Sequence, residues 1–222
     1  MTHSLIIFDC DGTLVDSEHL YNAITAELLN EIGYTEYTPE LCLELFAGHS
    51  WTTIRQRLEE RHGEPPPPDI TQRYIRIANE KLDDNFDPAP HANDVLTNLK
   101  ARSKICVASN GERGNVIKSL NVTGLLPHFK EEHIFSKIQV ERPKPAPDLF
   151  LYACANMNEP PEKSIVIEDS AAGVKAARAA NIDVLGYVGT SHNKDKQASL
   201  LKAAGATTII DSLIHIEQHL RD

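Results

Sequence analysis

The sequence predicts an α/β fold: a parallel sheet with helices on both faces, and a block of helices inserted after the first strand. Two observations carry this prediction. From residue 91 onward, short apolar segments alternate with helical patterns, which is typical of parallel sheets. Residues 15–89 show only helical patterns. We therefore expect a core domain made of 1–14 and 90–222 and a helical insert at 15–89, within a chain of 222 residues.

The first strand ends in two acids. Leu5-Ile6-Ile7-Phe8 is an apolar run that is followed by Asp9 and Asp11, then by Gly12 and Thr13. Alternate residues of an extended segment point to the same side, and buried carboxylates without partners are costly. Two crowded carboxylates favour a bound cation or a shared proton. An ordinary turn at Asp11-Gly12 is the alternative that these residues alone leave open.

The inserted block is predicted to contain four helices, with a proline-rich connector inside it and a linker at its end. Apolar spacing predicts helices at 17–32, from a cap at Ser50 to Gly63, and at about 69–83. Another helix is predicted to open at Thr38-Pro39, with Leu41, Leu45 and Phe46 as its apolar face. The four prolines at 65–68 form a rigid connector that no helix can contain. Residues 84–90 are predicted to be a linker.

The second half of the chain supplies the other strands and helices. The predicted strands cover 105–109, 133–135, 164–167, 182–187 and about 208–210. The predicted helices cover 92–101, 113–121, 147–157 and 171–180, with one more after the strand at 182–187 and one at the end of the chain.

Three of these strands end in polar groups: Asp9/Asp11, Ser109/Asn110 and Glu168/Asp169. The carboxyl ends of parallel strands lie at one edge of a sheet, so these groups are expected to meet in one crevice.

This crevice has the chemistry of a metal and phosphate site. The acids Asp9, Asp11 and Asp169 offer the hard oxygen ligands that suit Mg²⁺. The Ser109 hydroxyl and the backbone N–H groups after it, including that of Gly111, open a helix and suit a phosphate group. Lys144 lies between prolines that fix its backbone, and an ammonium group held in a fixed position is useful beside a phosphoryl group. A solvated loop lysine is the alternative for this residue.

These motifs together resemble the haloacid dehalogenase superfamily. They are Asp9-x-Asp11-Gly12-Thr13, Ser109-Asn110, Lys144 and Glu168-Asp169-Ser170-x-x-Gly173, and they follow the family's order over most of the chain. The resemblance implies a Rossmann-like core with a small α-helical (C1-type) cap. The chain is similar to sugar-phosphate phosphatases of the 6-phosphogluconate type and to β-phosphoglucomutase.

The resemblance also implies roles for single residues. Asp9 would be the nucleophile that forms an aspartyl-phosphate, and Asp11 the general acid and base. Mg²⁺ would be held by the Asp9 side chain, the Asp11 backbone carbonyl and Asp169, with Glu168 nearby or ligating. Ser109 and Lys144 would bind the phosphoryl oxygens, and Lys144 would also orient Asp9. Asn110 would contact the phosphate or the body of the substrate.

The resemblance further implies that the cap closes over the site and selects the substrate. The loop at 46–51 dips into the site in similar proteins, which makes His49 and Trp51 candidates for substrate contact. A core tryptophan and a surface histidine are the alternatives for these two residues.

The expected function is Mg²⁺-dependent hydrolysis of a small phosphate monoester, a sugar or sugar-acid phosphate. A hexose-phosphate mutase is the nearest alternative, but mutases similar to β-phosphoglucomutase carry a histidine where this chain has Tyr21. They also place a lysine and an arginine around the cap-loop glycine, where this chain has Ala47 and Trp51. A non-enzymatic phosphoacceptor module is an alternative of another class, although such modules lack the second acid and the cap.

Composition indicates which partners and which cellular location to expect. The net charge of −10 argues against binding to nucleic acid, and a monomer or weak dimer is expected. The four cysteines are widely spread without zinc spacing, which indicates reduced thiols. No signal peptide or membrane-spanning run is recognised, so a cytoplasmic location is expected.

Overall fold

The computed structural model describes residues 3–46, 51–81 and 87–220. The chain divides into two compact units, one of Met1–Asp16 with Phe86–Asp222 and one of Ser17–Asn85. Within the described residues, no helix has the length and apolar character needed to cross a membrane.

The first unit is built on a parallel sheet. Its strands are β1 (Leu5–Phe8), β4 (Lys104–Ser109), β5 (Ile134–Ser136), β6 (Ser164–Glu168), β7 (Asp183–Tyr187) and β8 (Thr208–Ile210). They lie in the order β5-β4-β1-β6-β7-β8, and every neighbouring pair is parallel. The strand that comes first in the chain therefore lies between β4 and β6, and the residues that follow these three strands share one edge of the sheet.

Helices connect the strands, in the alternating order that a parallel sheet requires. They are α5 (Ala92–Leu99), α6 (Arg113–Val122), α7 (Asp148–Asn156), α8 (Ala171–Ala179) and α9 (Lys194–Ala204). All four residues of β1 are fully buried. Because successive side chains of a strand point to opposite faces, burial of the whole strand means that both faces of the sheet are covered.

The second unit is helical. It contains α1 (Glu18–Glu31), α2 (Pro39–Phe46), α3 (Trp51–His62) and α4 (Ile70–Lys81), which agree with the predicted helices to within two residues where they are described. Its core includes Leu29, Tyr37 and Leu58. The Arg55 guanidinium donates a 3.1 Å hydrogen bond to the Pro67 carbonyl, which ties the proline run to α3.

The structure differs from the sequence prediction in the linker, in β5 and at the terminal helix, besides shifts of one residue at the starts of β4 and β7. The predicted linker contains a two-residue strand, β3 (Asp87–Pro88), which pairs antiparallel with β2 (Val15–Asp16). Two segments that enter and leave the helical unit thus run side by side, a long-range pairing that local sequence does not encode. β5 begins one residue later than predicted, and the terminal helix at Leu213–His219 is a 3₁₀ helix. The predicted cap at Ser50 lies outside the described residues.

Candidate active site

The polar ends of the central strands meet as predicted. Asp9 follows β1, Ser109 ends β4, and Glu168 ends β6, so three adjacent strands deliver these residues to one edge. Neighbouring strands lie about 4.8 Å apart, which places side chains from adjacent strand ends within reach of one another. The Asp9 N–H also donates a 3.0 Å hydrogen bond to the Ile167 carbonyl, which extends the ladder by one residue.

Lys144 forms a buried ion pair with Asp9. The lysine Nζ lies 2.6 Å from Asp9 Oδ1 and 3.6 Å from Glu168 Oε2. Asp9 is 7% exposed and Lys144 is 6% exposed, so both charges are shielded from water. Burial alone would lower the pKa of Lys144, but the charges of Asp9 and Glu168 raise it. The lysine is therefore a permanent cation against the Asp9 carboxylate, and the alternative of a solvated loop lysine is wrong.

Asp11 lies in surroundings that raise the pKa of its carboxyl group. Burial and, after it, the negative charge of Asp9 raise the pKa of Asp11 to about 7. Its Oδ2 atom lies 3.7 Å from the point that a methyl group on Gly111 would occupy, so the carboxyl group lies beside the turn after β4. A carboxyl group with this pKa can give and take a proton at neutral pH.

Asp9, Glu168 and Asp169 form a compact acidic cluster. Each offers one carboxylate oxygen, and these oxygens all lie within 4.8 Å of one another. Burial and the charge of Asp9 raise the pKa of Glu168 to about 7, and burial and the charge of Glu168 raise the pKa of Asp169. Glu168 is 1% exposed, and its Oε2 atom has no hydrogen-bond partner within the described residues. A crowded, buried set of carboxylate oxygens of this kind fits a hard divalent cation such as Mg²⁺.

Asp169 and Glu168 each accept a hydrogen bond from a neighbouring hydroxyl group. The Thr13 hydroxyl donates to Asp169 Oδ1 at 3.1 Å, and the Ser170 hydroxyl donates to Glu168 Oε1 at 2.6 Å. Gly12 has a φ of +83°, and a Cβ there would lie 2.1 Å from Asp169 Oδ2. The turn after β1 therefore requires glycine both for its backbone conformation and for the close approach of Asp169.

Two residues that sequence reasoning missed brace this region. The Gln197 side chain, from α9, donates to the Asp169 carbonyl, and the Thr190 hydroxyl donates to the Gly12 carbonyl. They come from segments that carry no recognisable motif. Their only sequence signal is their place after β7, the next strand of the sheet beyond β6.

The turn after β4 brings Ser109, Asn110 and Gly111 to the same edge. The Ser109 side chain is buried and its hydroxyl oxygen accepts a 3.0 Å hydrogen bond from the Gly111 N–H. The Asn110 side chain pairs with the backbone of Lys144: Nδ2 donates to the Lys144 carbonyl, and Oδ1 accepts from the Lys144 N–H, each at 3.0 Å. This double contact fixes the lysine backbone, an arrangement that the sequence did not predict.

The two candidate residues of the helical unit are less informative. His49 lies outside the described residues. Trp51 begins α3, where its ring lies 4.8 Å from that of Tyr74 and packs against the core of the helical unit. Contact of either residue with a substrate stays a prediction.

The sequence of the chain matches a known family. Residues 6–187 match the model of the haloacid dehalogenase-like hydrolases. The chain belongs to this family, and it is an enzyme of the phosphoric monoester hydrolase class. The family resemblance seen in the sequence is thereby confirmed.

Individual relatives are similar over most of the chain. The chain is 30% identical over 190 residues to 6-phosphogluconate phosphatase of Escherichia coli K12, covering 85% of this chain and 84% of that one. It is 28% identical over 184 residues to fructose-1-phosphate phosphatase YqaB of the same organism, covering 81% and 94%. The structure of a haloacid dehalogenase family hydrolase from Deinococcus radiodurans, with bound phosphate and sodium, has a TM-score of 0.83 at 29% identity and covers 99% of this chain and 95% of that chain.

Proposed function

We propose that this protein hydrolyses the phosphate monoester of a small sugar or sugar acid through a phosphoryl group carried on Asp9. The observation that supports this most strongly is the buried Asp9–Lys144 ion pair, at 2.6 Å, beside an acid whose pKa is raised to about 7. The relatives named for 6-phosphogluconate and fructose 1-phosphate support the substrate class.

In the first step, an Asp9 carboxylate oxygen attacks phosphorus, and the bond from phosphorus to the ester oxygen breaks. Lys144 holds the carboxylate in a fixed orientation and, with Ser109, balances the charge of the phosphoryl oxygens. Asp11 starts protonated and gives its proton to the leaving oxygen, so that an alcohol departs rather than an alkoxide.

In the second step, a water molecule attacks phosphorus of the aspartyl-phosphate. Asp11, now ionised, takes a proton from that water. The bond between phosphorus and the Asp9 oxygen breaks, which releases inorganic phosphate and restores both acids to their starting states. One carboxyl group with a pKa of about 7 can thus serve both steps.

The cofactor that we propose is Mg²⁺, which Asp9, Asp169, the Asp11 backbone carbonyl and Glu168 would hold. When bound, it would supply positive charge that lowers the repulsion between a carboxylate and a phosphate dianion. Glu168 fits a ligand or a partner of the metal-bound water, because its Oε2 atom is buried without a hydrogen bond from the described residues.

Replacement of the nucleophile tests the proposal most directly. Asp9→Asn should abolish Mg²⁺-dependent release of phosphate from 6-phosphogluconate and fructose 1-phosphate, a loss of at least about 10³-fold. Asp183→Asn is the matched control, because Asp183 lies on the surface of the same unit and pairs with His3 at 3.3 Å. Normal turnover by Asp9→Asn would refute the proposal. A stable phosphorylated Asp9 in the wild type, without turnover, would favour the phosphoacceptor alternative.

Asp11→Asn separates the two steps. With p-nitrophenyl phosphate, whose phenolate leaves without a proton, we expect a burst of one product per enzyme and then slow turnover, since hydrolysis of the aspartyl-phosphate lacks its base. With 6-phosphogluconate the variant should lose about 10² to 10⁴-fold in rate without a burst. Stopped-flow absorbance and phosphate release measure the two cases, and near-normal rates on the sugar phosphate would rule out the role given to Asp11.

The mutase alternative receives no support from the described residues. Tyr21, at the position where the resemblance would need a histidine, lies in α1 with its ring 6.3 Å from that of Tyr74. Interconversion of glucose 1-phosphate and glucose 6-phosphate in the presence of a bisphosphate primer would overturn the choice of hydrolysis.

A further inference from the structure

A cavity lies at the opposite edge of the sheet from the acidic cluster. It has a volume of about 570 Å³, and its wall includes Ser4, before β1, and Lys104, the first residue of β4. Ser109 is five residues further along β4, which separates the two edges by about 17 Å. This volume is within the range of about 300 to 1,000 Å³ that small-molecule sites occupy.

The wall of this cavity is cationic in a protein that is strongly acidic. Among the described residues that line it, the cations are Lys100, Arg102, Lys104 and Lys130, and Glu159 alone is acidic. The chain as a whole has a net charge of −10. Positive charge is therefore concentrated here against the sign of the molecule, which is the pattern expected of a surface that attracts an anion.

Not all of these cations are already neutralised. The charge of Lys104 is already paired, because its Nζ lies 2.9 Å from Glu159 Oε1 and donates to the Met157 carbonyl. Lys130 has a 4.0 Å contact with Glu132, and both side chains are highly exposed, so this pair is weak. Lys100 and Arg102 form no ion pair with any residue that the structure describes.

The positive charge of the lysines also affects two histidines that line the cavity. Burial and the charge of Lys100 lower the pKa of His128. Burial also lowers the pKa of His133, where the raising effect of Glu132 is opposed by Lys130 and Lys104. His128 Nε2 lies 2.8 Å from Asn93 Oδ1, and its Nδ1 atom is buried with no hydrogen-bond partner in the described part of the chain.

We propose that this cavity binds a small polyanion of the phosphate or diphosphate class, at a site separate from the acidic cluster. Four cations among the described residues line this one cavity of about 570 Å³, which fits a compact ligand with adjacent negative charges. A nucleic acid would also meet the acidic remainder of the protein, which repels it.

The test is an NMR titration of the histidine rings of the whole protein, with inorganic diphosphate as the probe and sodium chloride of equal ionic strength as the reference. Diphosphate at saturation should raise the pKa values of His128 and His133 by at least about 0.5, because an anion favours the charged ring. His215, which lies outside the cavity and pairs with Asp211 at 3.1 Å, should not respond. The resonances are assigned from His128→Gln and His133→Gln.

Charge reversal supplies the matched comparison. The double variant Lys100→Glu, Arg102→Glu should lose the response, whereas Lys194→Glu, Lys202→Glu on α9, with the same net charge, should keep it. Lys144→Ala should also keep it, which distinguishes this site from phosphate binding in the active site. The proposal is overturned if sodium chloride alone produces the shifts, if both double variants respond alike, if Lys144→Ala removes them, or if only an oligonucleotide produces them.

Discussion

At the scale of single residues, Lys144 is fixed from two directions. Its ammonium lies against Asp9, and its backbone N–H and C=O both pair with the Asn110 side chain. Since each bond of the long lysine side chain adds rotational freedom, a fixed backbone limits how far the ammonium can move. We infer that Asn110 is a positioning residue for Lys144, in addition to the phosphate or substrate contact predicted for it.

Asn110→Ala tests this role. We expect kcat to fall by about 10 to 100-fold with a smaller change in KM, because displacement of a reacting group by 1 Å has costs of this order. Asn110→Asp should restore part of the loss, since its oxygen can still accept from the Lys144 N–H. Asn156→Ala is the control: Asn156 donates to the Tyr152 carbonyl on an exposed helix face and should leave the kinetics unchanged. Equal effects of the Ala and Asp variants would contradict the positioning role.

The two glycines Gly12 and Gly124 give a second prediction at this scale. Both have positive φ, +83° and +72°, but a Cβ meets Asp169 only at Gly12 and meets nothing within 4 Å at Gly124. Gly124→Ala should cost about 1 to 2 kcal/mol of stability and no activity. Gly12→Ala should cause the same loss of stability. It should also displace Asp169, so that the Mg²⁺ concentration needed for half-maximal activity rises. Chemical denaturation and Mg²⁺ titration measure both effects, and identical behaviour of the two variants would show that the steric contact is unimportant.

The site residues that were predicted from the sequence differ from those that were missed in how unusual they are in their local sequence. Asp9 and Lys144 are unusual where they occur: an acid that ends an apolar strand, and a lysine between prolines. Gln197 and Thr190 are ordinary polar residues in polar segments, and their contacts with Asp169 and Gly12 exist only after folding. A local pattern could indicate the first kind but not the second.

At the scale of elements, α8 begins with a cap that also serves the site. The Ser170 hydroxyl accepts a hydrogen bond from the Gly173 N–H and donates one to Glu168. Gly173 is needed there, because a Cβ would lie 1.9 Å from Glu168 Oε1. The start of this helix and the orientation of an acid in the cluster are therefore set by one side chain.

Ser170→Ala should lower stability by about 1 kcal/mol, the usual cost of a lost helix cap, and should also weaken Mg²⁺ activation. Asn193→Ala is the matched variant, since Asn193 caps α9 through a 3.0 Å hydrogen bond from the Lys196 N–H. It should show the same loss of stability with normal Mg²⁺ activation. Thermal denaturation and metal titration provide the comparison, and normal Mg²⁺ activation in Ser170→Ala would remove the proposed link.

Element positions were predictable where the apolar pattern is strong. β1 and β4 contain continuous apolar runs, and the helices of the insert show apolar residues at helical spacing. β2 and β3 were missed because each has only two residues, and their pairing joins positions more than 70 residues apart. The 3₁₀ character of the terminal helix depends on backbone spacing, which does not alter the apolar pattern enough to be recognised from the sequence.

At the scale of the whole molecule, the acidic cluster links stability to pH and to metal. Burial and the charge of Asp9 raise the pKa of Glu168 to about 7, whereas an unfolded glutamate titrates near 4. Between these values the folded state binds more protons than the unfolded state, so stability falls as pH rises through this window. Lys144 does not alter this trend, because its raised pKa in the folded state and the ordinary pKa of an unfolded lysine, about 10.4, both lie above this window.

Without divalent metal, we expect the melting temperature to be lower at pH 7.5 than at pH 5. Mg²⁺ at about 100 times its dissociation constant adds about 2.7 kcal/mol and should raise the melting temperature at pH 7.5, with a smaller rise at pH 5, where protons compete for the carboxylates. Differential scanning calorimetry with EDTA or Mg²⁺ measures this, and Asp169→Asn should abolish the Mg²⁺ effect. Equal stabilisation at both pH values would contradict the assignment of the cluster.

The central position of β1 also determines how late in synthesis the active site can assemble. Synthesis delivers β1 first, but its two neighbours begin at Lys104 and Ser164, about 100 and 160 residues later. Until both have left the ribosome, β1 lacks a neighbour on at least one side, and Asp9 lacks Glu168 and Asp169. A chain that stops before β6 would therefore expose one unpaired apolar edge of β1 and lack two acids of the cluster, so we expect it to aggregate and to have no catalytic function.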